Sequence, residues 1–285
     1  MRDETRFASG FLVPGGVWLL ALFVTPLVFL LAISFGYTDD LGEAIYSTRF
    51  DNYSRLVDPD YLPVLFRSVG FALACVAICL LIGYPVAYFL ARHAGRARGW
   101  LLALFLAPFW ISYMLRMTAW IGLLEEEGLV NRILERLGFI DAPIGFLSGH
   151  AATLIAGLIY GYVPFMILPL FAVLDRIPAS NLEAARDLGA SPTQTFLRVT
   201  LPASRQGLIA GAILCALPMF GDYFTQQLLA NANGTRMLGN FIVESLQVPI
   251  FVARGASLIL LLVVLLTVPI VYYLRSAGRA ARERA

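Results

Sequence analysis

Six long apolar runs, separated by polar segments, dominate the hydrophobic pattern of the chain. Each is long enough to cross the ~30 Å hydrocarbon core of a bilayer as a helix, which takes roughly 17–25 residues. Helices are expected because a segment in lipid has to satisfy its own backbone hydrogen bonds. The predicted fold class is all-α, with membrane helices near 11–34, 66–91, 100–122, 151–174, 206–229 and 257–274.

The composition agrees with a membrane protein. Hydrophobic residues make up 59% of the 285 residues and charged residues 14%. That leaves too little polar surface to cover a water-soluble globule. The first apolar run is too long for a cleavable export signal and lacks an Ala-x-Ala site, so it is expected to remain as a helix.

The arginines predict the orientation, because cytoplasmic loops of membrane proteins carry an excess of positive charge. All 21 basic residues are arginine. With both termini in the cytoplasm, thirteen lie inside: Arg2, Arg6, Arg92, Arg96, Arg98, Arg176, Arg186, Arg198, Arg205, Arg275, Arg279, Arg282 and Arg284. Six lie in outer loops: Arg49, Arg55, Arg132, Arg136, Arg236 and Arg254. The outer loops are acidic, with Asp39, Asp40, Asp58, Asp60 and 125–127, so no nucleic-acid-binding patch is indicated.

Neither a metal site nor a catalytic site is indicated by the cysteines and histidines. Cys75 and Cys79 fall one turn apart in the second run and Cys215 falls in the fifth, where small buried apolar residues are expected. His93 and His150 lie on opposite sides of the membrane in the predicted topology. An intramembrane enzyme would need its catalytic groups together.

The longest inner loop, residues 175–205, predicts a short helix followed by a glycine turn. Ser180 is a candidate N-cap, and Glu183, three residues later, would complete a capping box. Gly189 stands where a left-handed helix terminus favours glycine. Small residues at Ala184 and Ala185 would let another surface approach this helix closely.

A second short helix is predicted directly after the turn. Ser191 is its N-cap, Pro192 occupies the favoured first position, and Gln194 completes a capping box. Leu201 and Pro202 are expected to end it before the fifth membrane helix. An interfacial pair of helices with no partner is the simplest alternative for such a loop.

The same loop resembles the EAA motif of the permease subunits of binding-protein-dependent ABC importers (MetI-like). The matching residues are Glu183-Ala184-Ala185, then Gly189 after three residues, then Val199-x-Leu201-Pro202 after nine more. Only Val199 departs from the motif, where isoleucine is commoner. The resemblance implies cytoplasmic coupling helices between membrane helices 4 and 5, seated in a cleft of a separate ATPase.

Family resemblance also implies the partners. They are two copies of a cytoplasmic ABC ATPase, a second homologous permease subunit in a heterodimer, and an extracytoplasmic solute-binding protein, assembled in the lipid of a bacterial inner membrane. ATP and Mg would bind the ATPase, with no cofactor in this chain. The absence of lysine agrees, because a phosphate loop of the type G-x-x-x-x-G-K-[ST] needs one.

Beyond the loop, the resemblance covers about residues 50–275 and narrows toward the spermidine/putrescine branch of these permeases. The stretches that carry it are FDNYSRLVDPDYLPVLFRSV, LLIGYPVAYFLA, APFWISYMLRMTAW, GLVNRILERLGFIDAP and FGDYFTQQLL. A permease for another small solute of the same family is the main alternative. An ion-coupled secondary transporter is a weaker one, since inverted repeats and several midplane carboxylates are not found.

Two charges inside the membrane are candidates for the translocation path. Asp222 and Arg116 each lie sixteen residues past the inner start of their run, which places both ~24 Å from the inner boundary, where they could meet. The full set of candidate path residues is Asp222, Tyr223, Trp110, Tyr113, Arg116 and Phe220. The aromatic members could hold a cation over their rings. A structural ion pair, or an Arg116 that reaches Glu125 or Glu126, is the alternative.

Local breaks and domain limits complete the prediction. Pro218 and Gly221 are expected to interrupt the fifth helix. Leu129, Ile133 and Leu137 predict a short amphipathic helix on the outer surface. The predicted domains are 1–65 (first helix and outer loop), 66–275 (permease core, with the coupling loop 175–205) and 276–285 (basic cytoplasmic tail).

Overall fold

The computed structural model describes residues 2–38, 44–45, 50–54, 61–248 and 251–282. Several loop residues named above lie outside these ranges, namely Asp39, Asp40, Arg49, Arg55, Asp58, Asp60 and Arg284.

Helices account for nearly all regular structure in the described residues. In chain order the α-helices are α1 (Arg2–Ser34), α2 (Asp51–Ser54), α3 (Leu62–Arg92), α4 (Arg98–Leu106), α5 (Tyr113–Leu124), α6 (Leu129–Arg136), α7 (Ala151–Leu174), α8 (Ala179–Asp187), α9 (Pro192–Thr195), α10 (Leu201–Ala203), α11 (Arg205–Phe220), α12 (Phe224–Leu229), α13 (Leu238–Gln247) and α14 (Val252–Arg282). Single 3-10 turns span Gly95–Ala97 and Ala107–Trp110, and a π-helical turn spans Phe196–Thr200. One antiparallel pair, β1 (Tyr37–Thr38) with β2 (Ala44–Ile45), places Tyr37 opposite Ile45.

Four single helices in the described ranges are long and apolar enough to cross a membrane. They are Val13–Ser34, Leu62–Arg92, Ala151–Leu174 and Val252–Tyr272. Two further stretches qualify only as bent pairs, Gly95–Trp110 with Tyr113–Arg136 at 86° and Pro192–Ala203 with Arg205–Phe220 at 63°. The helical class is therefore confirmed, with four spans, or up to six if each bent pair is one span.

The pattern of the third apolar run predicted one continuous helix, but the structure shows a broken one. Pro108 lies at the start of a 3-10 turn, and the chain then becomes extended at Ile111 and Ser112, with ψ of 140° and 137°. Proline has no N–H to donate to the preceding turn, which accounts for the end of the α-helix at Leu106. The interruption predicted at Pro218 and Gly221 is confirmed, because α11 ends at Phe220 and α12 begins at Phe224.

Residues 1–62 and 241–285 contain one compact unit, in which α1 packs against α14. The chain after α1 is held by Asn52, whose side-chain amide donates to the carbonyl oxygens of Ser34 and Gly36, both at 2.8 Å. The ring of Phe35 packs edge-on against Phe50, with centroids 5.1 Å apart.

Residues 63–240 form a second compact unit, in which the most extensive helix packing joins α7 and α11. Glycines allow this close approach. A Cβ on Gly211 would lie 2.8 Å from the sulfur of Met166, and one on Gly207 would lie 3.0 Å from the carbonyl oxygen of Pro169. Small residues at such crossings are typical of membrane helix pairs. As predicted, the three cysteines are buried, namely Cys75, Cys79 and Cys215.

Candidate functional site

The first candidate site is the segment 175–204 between α7 and α11. Its first helix, α8, begins two residues earlier than predicted, because Pro178, in an extended conformation (φ −60°, ψ 138°), is the N-cap. Ser180 therefore lies inside the first turn and makes no capping hydrogen bond. The predicted capping box of Ser180 and Glu183 is wrong.

The glycine turn after α8 has the predicted conformation. Gly189 has φ of +81°, and its N–H donates to the carbonyl of Arg186 at 2.8 Å. The next N–H, that of Ala190, donates to the carbonyl of Ala185 at 3.0 Å. This pair of hydrogen bonds is the Schellman arrangement, which needs a left-handed residue and so favours glycine.

The second capping box is also confirmed. The N–H of Gln194 donates to Ser191 Oγ at 3.3 Å, and the N–H of Ser191 donates to Gln194 Oε1 at 3.0 Å, with Pro192 in the first turn.

The helical path, however, does not end at Leu201-Pro202. It continues through the π-helical turn to Ala203, and the bend occurs at Ser204 (φ −90°, ψ 1°). Proline is tolerated there because it lies in the first turn of α10.

Hydrogen bonds tie both ends of this segment to membrane helices. At the bend, Tyr84 of α3 bonds Ser204 Oγ at 2.9 Å, and Ser204 Oγ donates to the carbonyl of Leu201 at 3.0 Å. At the other end, Arg92 donates to the carbonyl of Ile177 at 2.9 Å. Both ends of the segment are therefore hydrogen-bonded to α3.

A surface ion pair adds a contact to α4. Arg98 and Asp175 lie 2.7 Å apart and are both partly exposed, so the pair stabilises the fold by less than about 1 kcal/mol.

Most side chains of α8 are exposed. Glu183 and Ala184 are exposed and Ala185 is half-buried. Leu188, at the end of the helix, is 89% exposed. An exposed leucine beside small side chains, at the end of a helix closed by a glycine turn, suits insertion into an apolar groove.

The second candidate site surrounds Asp222, in the break between α11 and α12. The side chain is 6% exposed. Its Oδ1 accepts a hydrogen bond from the backbone N–H of Thr225 at 3.0 Å. The carboxylate thus satisfies a free donor at the start of α12, as an N-terminal cap does.

The other carboxylate oxygen, Oδ2, accepts three hydrogen bonds. The donors are the hydroxyls of Thr225 at 2.7 Å, Tyr113 at 2.9 Å and Tyr162 at 2.9 Å. Gly161 makes room for the Tyr113 ring, since a Cβ there would lie 2.7 Å from its Cε2 atom. Asp222 therefore joins α5, α7 and α12 through hydroxyls.

Arg116 does not pair with an acid among the described residues. No salt bridge joins it to Asp222, Glu125 or Glu126, so neither form of the alternative, the ion pair or the reach toward the outer glutamates, is found in the described residues. Instead, Arg116 Cζ lies 4.3 Å from the ring centroid of Phe109.

Two further rings contact the same guanidinium. Arg116 Cζ lies 5.3 Å from the ring centroid of Tyr113 and 5.5 Å from that of Tyr160. Each such contact stabilises a cation by ~0.5–2 kcal/mol. Tyr113 thus links the two charges, with its hydroxyl on Asp222 and its ring under Arg116.

The structure brings together only part of the predicted path set. Tyr113, Arg116 and Asp222 lie in one cluster. Phe220 is buried and Trp110 is 83% exposed. Tyr223 stacks on Phe224 with centroids 4.1 Å apart.

The sequence reasoning missed four residues of this cluster: Phe109, Tyr160, Tyr162 and Thr225. The Asp-x-x-Thr spacing after Gly221 was a readable capping signal. The tyrosines of α7 carried no comparable signal, because their partners lie on other helices.

A family model for "Binding-protein-dependent transport system inner membrane component" matches residues 80–277. Among curated relatives, the spermidine/putrescine transport system permease protein PotB of Salmonella typhimurium LT2 is 34% identical over 274 residues, covering 96% of this chain and 95% of that protein. PotB of Escherichia coli K12 is 36% identical over 257 residues, covering 90% and 93%. The inner membrane ABC transporter permease protein YdcU of Escherichia coli K12 is 30% identical, covering 75% and 76%.

Among solved structures, a chain of a bacterial alginate ABC transporter in complex with alginate pentasaccharide-bound periplasmic protein has the same fold. Its TM-score is 0.75 at 17% identity, covering 98% of this chain and 96% of that one. The helical arrangement and the sequence matches therefore agree. The chain belongs to the family of inner membrane components of binding-protein-dependent transport systems, as a permease subunit of an ABC importer.

Proposed function

We propose that this permease imports polyamines, of the spermidine and putrescine class, by alternating access coupled to a separate ATPase. The observation that carries the proposal is the 34–36% identity, over 90% or more of the chain, to permeases named for spermidine and putrescine transport. A second, independent support is a cluster of aromatic rings that already holds a cation, Arg116.

The proposed topology has six membrane spans with both termini in the cytoplasm. Four single helices and two bent pairs support this number, if each bent pair is one span. Thirteen arginines on the inner side against six on the outer side support this orientation. The segment 175–204 then lies on the cytoplasmic face of a bacterial inner membrane.

On that face, the proposed role of α8 and the following turn is to seat in a partner ATPase, present in two copies, which binds ATP and Mg. The exposed side chains Glu183, Ala184 and Leu188 support this role. The remaining coupling residues, Ala185, Gly189, Leu201 and Pro202, set the shape of the segment through the turn and the bend.

A second, homologous permease chain is proposed to complete the translocation path as a heterodimer. The reason is the mismatch between the charge of the proposed substrate and the charge that this chain offers. A polyamine carries several positive charges, whereas the intramembrane carboxylate of this chain, Asp222, is buried under four hydrogen bonds. An extracytoplasmic solute-binding protein is proposed to deliver the solute, as family membership suggests.

The proposed path passes the cluster around Tyr113, Arg116 and Asp222, with Trp110, Phe220 and Tyr223 on neighbouring positions. Asp222 contributes here through its field rather than by contact, because its side chain is buried. A hydrogen bond from Tyr113 to a carboxylate makes the phenol ring more electron-rich, which strengthens its attraction for a cation.

Uptake into proteoliposomes tests the proposed substrate class. The full complex with its solute-binding protein is expected to accumulate labelled spermidine or putrescine at least about tenfold faster than a neutral sugar or an alginate oligosaccharide. Equal or faster uptake of a non-cationic solute would assign the chain to another branch of the family.

A further inference from the structure

The guanidinium of Arg116 is held in an unusual way for a charge in a membrane helix. It is nine-tenths buried, and its Nε and Nη1 atoms have no hydrogen-bond partner among the described residues. Buried charges are normally paired or hydrogen-bonded, since an unmet donor loses its solvation without compensation. The favourable contacts of this cation are ring faces, those of Phe109, Tyr113 and Tyr160.

Two of the three rings, Phe109 and Tyr160, form the middle of a longer aromatic row. Tyr160 packs against Trp120 with centroids 5.4 Å apart and against Phe109 at 6.1 Å. Phe109 in turn packs against Phe105 at 6.3 Å. The row runs from α5 to α4, and each of its rings is partly exposed. A cation leaving the Arg116 position thus has neighbouring ring faces within reach.

We propose that the cage of Phe109, Tyr113 and Tyr160 is a binding site for a substrate ammonium group, and that Arg116 is its tethered occupant, displaced when the substrate arrives. The proposal rests on the proposed import of polyamines. Exchange of one monovalent cation for another leaves the charge of the site unchanged. Displacement also allows the guanidinium N–H groups that have no hydrogen-bond partner to bind water.

The same arrangement makes the cage selective. A neutral or anionic solute lacks the cation–π attraction that holds the guanidinium, so it is expected not to displace Arg116 from the cage. Asp222 lies on the far side of Tyr113, and its carboxylate accepts hydrogen bonds from hydroxyls. It therefore does not compete with the cage for the incoming cation. Arg116 is a competitor for the site, and its removal should strengthen substrate binding.

Equilibrium binding of labelled spermidine to the intact transporter complex in nanodiscs, without solute-binding protein and nucleotide, tests this inference. Arg116→Met is expected to lower the apparent Kd for spermidine at least about tenfold relative to wild type. Arg116→Lys is the matched control, because its ammonium refills the cage and keeps the wild-type affinity. If the methionine variant fails to assemble, Arg116→Gln carries the same expectation.

A second substitution locates the gained binding. Adding Phe109→Leu to Arg116→Met should return the affinity to the wild-type level, whereas Phe89→Leu, an exposed ring of α3 outside the cage, should not. No gain in Arg116→Met, or a gain that survives Phe109→Leu, overturns the proposal. If either result is found while the wild type shows normal ATP-driven spermidine uptake, only the proposal that Arg116 is a displaceable occupant of the cage is refuted. Absence of wild-type uptake refutes the proposed function itself.

Discussion

Replacing Ala184 by arginine is expected to abolish ATP-driven uptake while leaving the chain folded and inserted. Ala184 is exposed on α8, a helix that ends in the glycine turn at Gly189 and is followed by the capping box of α9. A long charged side chain at the centre of the proposed docking surface is expected to prevent close packing. Loss of a central interface contact costs about 2 kcal/mol or more, so uptake should fall at least about 30-fold.

The matched control is Ala151→Arg, an exposed alanine in the first turn of α7, at the opposite end of that helix from the segment 175–204. It should keep uptake within about twofold of wild type. Co-purification of the ATPase, measured alongside, should fall in Ala184→Arg and not in the control. Normal uptake by Ala184→Arg would show that α8 is not the coupling element.

Replacing Asp222 by alanine is expected to destabilise the fold strongly. The substitution leaves the hydroxyls of Tyr113, Tyr162 and Thr225 without their acceptor in a buried site and removes the cap of α12. Breaking such a buried charged network costs about 3–5 kcal/mol. Thermal unfolding of the purified complex should therefore shift to markedly lower temperature.

Two companion variants define the cause. Tyr162→Phe removes one donor and leaves the carboxylate three others, so its effect should be about 1 kcal/mol. Asp222→Asn keeps an acceptor oxygen and the shape of the side chain, so it should be more stable than Asp222→Ala. If it is stable, its uptake rate isolates the effect of the charge. An Asp222→Ala protein as stable as wild type would contradict the role of Asp222 as a hub.

Signals between residues close in sequence explain which features of the segment 175–204 could be predicted. Gly189, Ser191 and Gln194 were recognisable because a cap or a left-handed turn depends on residues three to five positions apart. Ser180 failed as a cap because Pro178 was available two residues earlier in an extended conformation. Two local signals competed there, and their spacing alone did not decide between them.

The intramembrane cluster was predicted only in part, because its contacts join separate helices. Arg116 and Asp222 were placed at similar depth by counting residues, yet the rings between them decide how each charge is satisfied. The rotation of α5 and α7 that brings Tyr113 beside Gly161 depends on packing, which a linear pattern does not contain. The break before α5 likewise changed the direction of that helix.

We propose that solute movement through this permease is driven by ATP hydrolysis on a partner subunit. The most direct test is the initial rate of spermidine uptake by the reconstituted complex with its solute-binding protein, supplied with ATP and Mg or with ADP and Mg on the ATPase side. The account predicts uptake at least about tenfold faster with ATP, against the concentration gradient. Equal rates with the two nucleotides, or uptake that follows a proton or sodium gradient instead, would contradict it.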